Sequence, residues 1–140
     1  MKTLLFIILT SFLISFSACN SEEVVYSINC DDAITPDNDR FNNAVTDFFT
    51  LLNVTLEGDC LKVEYSSSGC SGNSWVMELV DAETIKESNP IQRDLRLILK
   101  NEEECLAVFT KEISFDLRPI RTDDNTILLN LEDQQYIYTY

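Results

Sequence analysis

Apolar and polar residues alternate with a period of two along most of the chain. The clearest case is Leu52, Val54 and Leu56 set against Asn53, Thr55 and Glu57, followed by Gly58-Asp59. Leu61, Val63 and Tyr65 then alternate with Lys62, Glu64 and Ser66. A period of two puts all the apolar residues on one face of a pleated strand. Two such runs around a glycine-containing turn predict a β-hairpin with one wet face. The same reading predicts strands at Val24–Ile28, Trp75–Val80, Leu95–Leu99, Cys105–Phe109 and Ile113–Leu117, the last stopped by Pro119. A final pair, Thr126–Leu131 and Tyr136–Tyr140, flanks Glu132-Asp133-Gln134-Gln135. The polar stretch Asn29–Asn43 reads as loop, and Asp81–Pro90 as a connection holding at most one helical turn before Asn89-Pro90. Phe48, Phe49, Leu51 and Leu52 fit neither the helical nor the strand period, and the segment is read as strand from Phe49 onward. Seven or eight short strands at this spacing, with little helix, predict an all-β fold: a single antiparallel β-sandwich of Ig-like, Greek-key type. It is expected to occupy residues 30–140, with residues 19–29 as a tether and first strand. No internal repeat or linker divides it.

The beginning of the sequence changes the picture. Met1-Lys2-Thr3 supplies a positive start, Leu4–Ile14 an uncharged apolar run, and Ser15–Ala18 small and apolar residues before Cys19. Residues 1–18 have the build of a signal peptide, too short for a stable transmembrane helix. A cysteine directly after Ser17-Ala18 is similar to a bacterial lipoprotein signal, which implies lipidation of the Cys19 thiol and attachment to a membrane. Phe16, three residues before the cysteine, departs from the commoner leucine. Asn20-Ser21-Glu22-Glu23 resembles the export signal that sends Bacteroidota lipoproteins to the outer face of the outer membrane. The expected location is therefore the bacterial outer membrane, lipid-anchored through Cys19.

Charge and histidine count narrow the chemistry. The full chain carries 24 Asp+Glu against 10 Lys+Arg and no His, a net charge of −14. Without Lys2 the part from Cys19 onward keeps 9 basic residues against the same 24 acids, a net of −15. Such a balance repels nucleic acid and anionic lipid, so neither is an expected partner. The absence of histidine removes serine triads with an imidazole base, Cys-His dyads and His-containing zinc sites. A pair of carboxylates can still perform hydrolysis, but nothing in the sequence singles out a pair. Asp37-Asn38-Asp39-Arg40-Phe41-Asn42 has oxygen ligands at alternate positions, yet Phe41 stands where a third ligand belongs, and the turn glycine and the later glutamate are missing. It reads as a polar turn. No cofactor or metal is expected.

Cys30, Cys60, Cys70 and Cys105 are an even set in an exported chain, which predicts two structural disulfides in one of three pairings. The layout Gly58-Asp59-x-Leu61-x-Val63, Gly69-Cys70, Cys105-x-Ala107 and Ser114-Phe115-Asp116-Leu117 resembles a loose group of short, uncharacterised Bacteroidota lipoproteins, over about half of the exported part. That resemblance brings no known activity. Members often carry a histidine three residues after the Gly-Cys, where this chain has Asn73. Cys70 and Cys105 recur together in that group and both sit where loop meets strand; pairing them leaves Cys30 with Cys60.

Two places are candidate recognition surfaces. The loop Ser67–Ser74 holds two of the chain's three glycines, is pinned at Cys70, and is flanked by Trp75. Its small residues leave backbone donors accessible, which makes Ser68, Asn73, Ser74 and Trp75 candidate binding residues. Tyr136, Tyr138 and Tyr140 share one strand face and with Trp75 could form a stacking platform; the competing reading is that these rings belong to the core. The function expected from all this is a non-enzymatic binding or structural module of the cell envelope, engaging a glycan or an envelope protein. The alternative is a carboxylate-dependent hydrolase of envelope or extracellular polysaccharide, which requires two semi-buried acids facing one cleft.

Overall fold

The predicted hairpin around Gly58-Asp59 forms the heart of one sheet. The computed structural model describes residues 29–140. The signal segment 1–18, Cys19, the tether and the predicted strand Val24–Ile28 lie outside the described residues. Strands β3 (Thr50–Glu57) and β4 (Cys60–Gly69) pair antiparallel, and Gly58 takes φ +60° in the turn between them. On β4 the alternation works as read: Leu61, Val63 and Tyr65 are buried while Lys62, Glu64 and Ser66 are partly exposed. On β3 Val54 and Leu56 pack on the core, but Leu52, read on the same face, is 50% exposed because the register shifts between Leu51 and Asn53.

Among the described residues nine strands make up two sheets. Besides β3 and β4 these are β1 (Asp32–Ala33), β2 (Thr35–Pro36), β5 (Val76–Lys86), β6 (Ile91–Lys100), β7 (Ala107–Asp116), β8 (Thr126–Leu131) and β9 (Gln134–Thr139). The four-stranded sheet has the order β1-β7-β4-β3, and the five-stranded sheet the order β2-β5-β6-β8-β9. The sandwich is as the pattern predicts, but the sheets are mixed. β1 runs parallel to β7, β2 to β5, and β6 to β8, so the purely antiparallel Ig-like arrangement is corrected. Alternation reveals which residues face inward, not which way a neighbouring strand runs. The chain leaves β6, adds β7 to the opposite sheet, and returns to lay β8 beside β6, a crossover that makes the pair parallel.

Leu61, Val63, Leu79, Leu97, Phe115, Ile127, Leu129 and Leu131 are almost wholly buried between the sheets. At one side the chain passes from sheet to sheet through a single residue: Ala33 pairs in the first, Thr35 in the second, and Ile34 plugs the seam at 2% exposure. The other side, between the edge strands β3 and β9, has no such closure among the described residues.

Several segments differ from expectation. The runs Cys105–Phe109 and Ile113–Leu117, read as two strands, form the single strand β7, and the stretch Asn29–Asn43, read as loop, holds β1 and β2. A short helix, α1 (Asn38–Asn43), occupies part of the stretch read as loop; the Asp37 side chain caps it by accepting from the Arg40 N–H at 2.9 Å. It buries none of its own residues, so no apolar periodicity announced it. The stretch Asp81–Lys86, read as a connection, continues β5 through an irregularity between Asp81 and Ile85, with Glu83 at φ +57°. That bulge accompanies a buried ion pair. Asp81 is fully buried on the inward face and pairs with Arg93, whose side chain is 12% exposed. The Glu83 N–H also donates to Asp81 Oδ2 at 3.1 Å, while Oδ1 has no partner among the described residues.

Candidate functional site

The disulfides are Cys30–Cys60 and Cys70–Cys105, the pairing that the resemblance implies. Each fixes a place where sequence reasoning had put interest. Cys30 fastens the start of the described chain to β4. Cys70–Cys105 fastens the loop after β4 to the segment before β7.

The loop Ser68–Trp75 is built around a carboxylate of the same chain. Glu103 accepts hydrogen bonds from the backbone N–H groups of Cys70 at 2.5 Å, Ser71 at 2.8 Å and Gly72 at 2.9 Å, and from the Ser74 hydroxyl at 2.7 Å. Converging N–H groups of this kind form an anion-binding nest. Those donors, with the Gly72 N–H foremost, lower the Glu103 carboxyl to about 2. Gly72 is required here: its φ is +70°, and a Cβ would lie 2.7 Å from Lys111 Cε and 3.3 Å from the Trp75 ring. The expectation of accessible backbone donors is therefore corrected, because the nest is filled from within. Ser68, Asn73 and Ser74 stay exposed. Asn73 accepts from Lys111 Nζ at 3.2 Å.

The aromatic platform is also corrected. Trp75 is 9% and Tyr138 1% exposed, so neither offers a face to a ligand. Trp75 packs on Tyr65 with ring centroids 6.1 Å apart, and Tyr138 packs on Tyr140 at 4.8 Å. The Tyr138 hydroxyl donates to Asp59 Oδ1 at 2.8 Å and accepts from Arg121 Nε at 2.9 Å. Burial, and the hydrogen bond that the hydroxyl donates to Asp59, push Tyr138 up to about 12. Arg121 also pairs with Asp59 and lies 4.5 Å from the Tyr140 ring centroid. These residues lock the β3–β4 turn to the C-terminal strand.

The open side of the sandwich holds the feature that sequence reasoning missed. A groove of about 740 Å³ runs between β3 and the β8–β9 turn, within the usual range for ligand sites. Phe48 and Leu52 line it and are 83% and 50% exposed, and Tyr136 contributes a half-buried ring. Asp47, Glu132 and Asp133 are the exposed carboxylates around it. Arg96 is its one guanidinium, and it donates to the carbonyls of Phe41 at 2.7 Å and Ala44 at 3.0 Å. A signal was present in the sequence. Phe48-Phe49 and Leu51-Leu52 are adjacent apolar pairs, and in an extended chain one member of each must face away from the core. Phe49 and Leu51 face in, and Phe48 and Leu52 face out.

Among the described residues no cluster of His, Cys, Asp or Glu could hold a metal ion, and no helix is long and apolar enough to cross a membrane. The three groove carboxylates are all exposed, and the one fully buried carboxylate, Asp81, is paired with Arg93 between the sheets. A pair of semi-buried acids facing a cleft, which a carboxylate hydrolase needs, is not what these residues form.

No protein-family model matches the chain, and no curated protein matches it. Solved structures with a similar fold include a protein of unknown function, DUF1344, from Bacteroides vulgatus, at 19% identity and a TM-score of 0.52 over 78% of this chain and 56% of that one. A NigD-like immunity protein from Bacteroides caccae matches at 14% identity and a TM-score of 0.57, over 76% of this chain and 57% of that one. The chain thus spans a little over half the length of each structure it matches. What it shares with these Bacteroides proteins is the fold.

Proposed function

We propose that the protein is a lipid-anchored, non-enzymatic binding module of the bacterial cell envelope, which holds a partner in the groove between β3 and the β8–β9 turn. One observation carries the binding reading. Phe48 and Leu52 stand exposed at an open groove between the edges of two sheets that share one packed core. Water-exposed apolar side chains grouped in a concave site are what a partner desolvates. Neither similar structure is described as an enzyme, which supports the same reading. Anchoring through Cys19 rests on the lipoprotein signal, and export to the outer face rests on Ser21-Glu22-Glu23.

The test uses whole cells. Wild-type protein should take up labelled fatty acid, and Cys19→Ser should not. A photo-crosslinking amino acid at position 48 should give a discrete adduct on intact cells, and the same group at Glu87, away from the groove, should not. Equal adducts from both positions, or none from position 48, would overturn the binding reading.

A further inference from the structure

We infer that the groove takes an extended, cationic and apolar peptide segment of another exported protein, which adds as a strand along β3. This rests on the groove being the binding site and names its occupant.

Three observations point to a strand. Among the described residues β3 pairs only with β4 and β9 only with β8, so both walls of the groove end there in unpaired sheet edges. Exposed edges are ordinarily blunted by lysine, proline or a covering segment. The opposite seam has such cover from β1, Ile34 and β2, whereas Thr50–Glu57 contains no Lys, Arg or Pro and neither does Gln134–Thr139. The one irregularity of β3, between Leu51 and Asn53, leaves Leu52 half exposed at the groove. From Asn53 to Glu57 the register with β4 is regular, which leaves an orderly edge for main-chain pairing.

Charge selects the side chains. Asp47, Glu132 and Asp133 stand around the groove against the single cation Arg96, which leaves its rim negative. Asp47 Oδ2 also accepts from the Asn101 N–H at 2.6 Å, and Arg96 donates to two carbonyls. A strand presents alternate residues to alternate sides. Apolar residues of the partner would meet Phe48, Leu52 and Tyr136, and the intervening Lys or Arg residues would meet the carboxylates. A second copy of this chain is disfavoured, since it would bring the same acidic rim and the same negative net charge.

The experiment uses the protein from Cys19 onward in detergent micelles, with fluorescent octapeptides read by anisotropy. The probes are an alternating Lys/Val peptide, its Glu/Val counterpart, the Lys/Val peptide N-methylated at alternate amides, and a neutral hexasaccharide as competitor. The Lys/Val peptide should bind, and more weakly at high salt. N-methylation should cost about ten-fold or more in affinity, because it removes main-chain donors. Phe48→Ser with Leu52→Ser should cost a similar factor while leaving every charge and the circular dichroism in place. Equal binding of the Lys/Val peptide to that double variant would mean general attraction to an acidic protein and would overturn the inference. So would indifference to N-methylation, preference for the acidic peptide, displacement by the hexasaccharide, or concentration-dependent dimers that occupy the groove. In those cases the cellular adduct at position 48 would still stand. Loss of that adduct is the separate failure of the binding reading.

Discussion

Replacing Arg93 with methionine should be among the most damaging single changes in the protein. The Asp81 side chain is wholly inaccessible and faces the core. Its partners are the Arg93 guanidinium and the Glu83 N–H, both on Oδ2, while Oδ1 has none among the described residues. Without Arg93 a buried carboxylate keeps one backbone donor. Stranding one partner of a buried ion pair costs about 3–5 kcal/mol. Against a total stability of about 5–15 kcal/mol, that is about a fifth or more of the whole. At about 4 °C per kcal/mol for a domain of this size, the melting temperature should fall by about 12–20 °C. Burial already pushes the Asp81 carboxyl above its usual range, against the pull of Arg93. A folded-state value above the unfolded one means that stability falls as pH rises through the interval between them. Removing Arg93 takes away a cause that lowers the Asp81 carboxyl and extends that interval upward, so acidification from neutral pH should narrow the stability gap between variant and wild type. Urea unfolding followed by the fluorescence of Trp75, the chain's one tryptophan, measures this. The double change Asp81→Leu with Arg93→Met removes both charges and should recover most of the loss. A cost below about 1 kcal/mol for Arg93→Met, or a double variant no more stable than the single, would refute the reasoning.

Glu103→Gln should flatten the acid limb of the stability curve. Wild-type Glu103 contributes stability that is complete above about 4.5 and is lost as pH falls towards about 2, and urea midpoints across that range would show the difference. Gly72→Ala should destabilise by about 1–3 kcal/mol, since it meets both a left-handed backbone and Lys111 Cε, with the shift read from thermal melts. Cys70→Ser with Cys105→Ser releases a closure of 35 residues, worth about 4 kcal/mol in the chain-entropy model, measurable by urea unfolding. Phe48→Ser should leave the unfolding free energy from urea titration within about 0.5 kcal/mol of wild type, because the side chain is 83% exposed, while weakening groove binding by no more than the double change with Leu52→Ser.

What the sequence revealed follows from what alternation encodes. β4, with Leu61, Val63 and Tyr65 inward, lies between β7 and β3 and has one wet face, so its pattern is a clean period of two. Strand direction was invisible, since β6 and β8 would alternate identically whether parallel or antiparallel. Helix α1 was hidden because it buries no residue of its own and is held by the Asp37 cap and by Arg96 on the Phe41 carbonyl. The nest around Glu103 could not be read either. The loop and its carboxylate are about 30 positions apart, and only the Cys70–Cys105 bond hinted that they meet. The groove was half legible, in the doubled apolar residues Phe48-Phe49 and Leu51-Leu52, but not its setting, because the opposite wall comes from residues 132–136.

The Cys30–Cys60 bond also decides how the fold bears a mechanical load. A pull on the chain from its N-terminal side reaches Cys30 first and passes through sulfur into Cys60, at the start of β4. That strand is flanked on both sides, by β7 over ten paired residues and by β3 over seven, so the load must shear two ladders at once. The two-residue strands β1 and β2, which would peel apart one bond at a time, sit inside the covalent loop from Cys30 to Cys60 and carry no tension. The seam at Ile34 is thereby relieved of strain from whatever the N-terminal segment is fastened to, and the groove on the far side keeps its shape under drag.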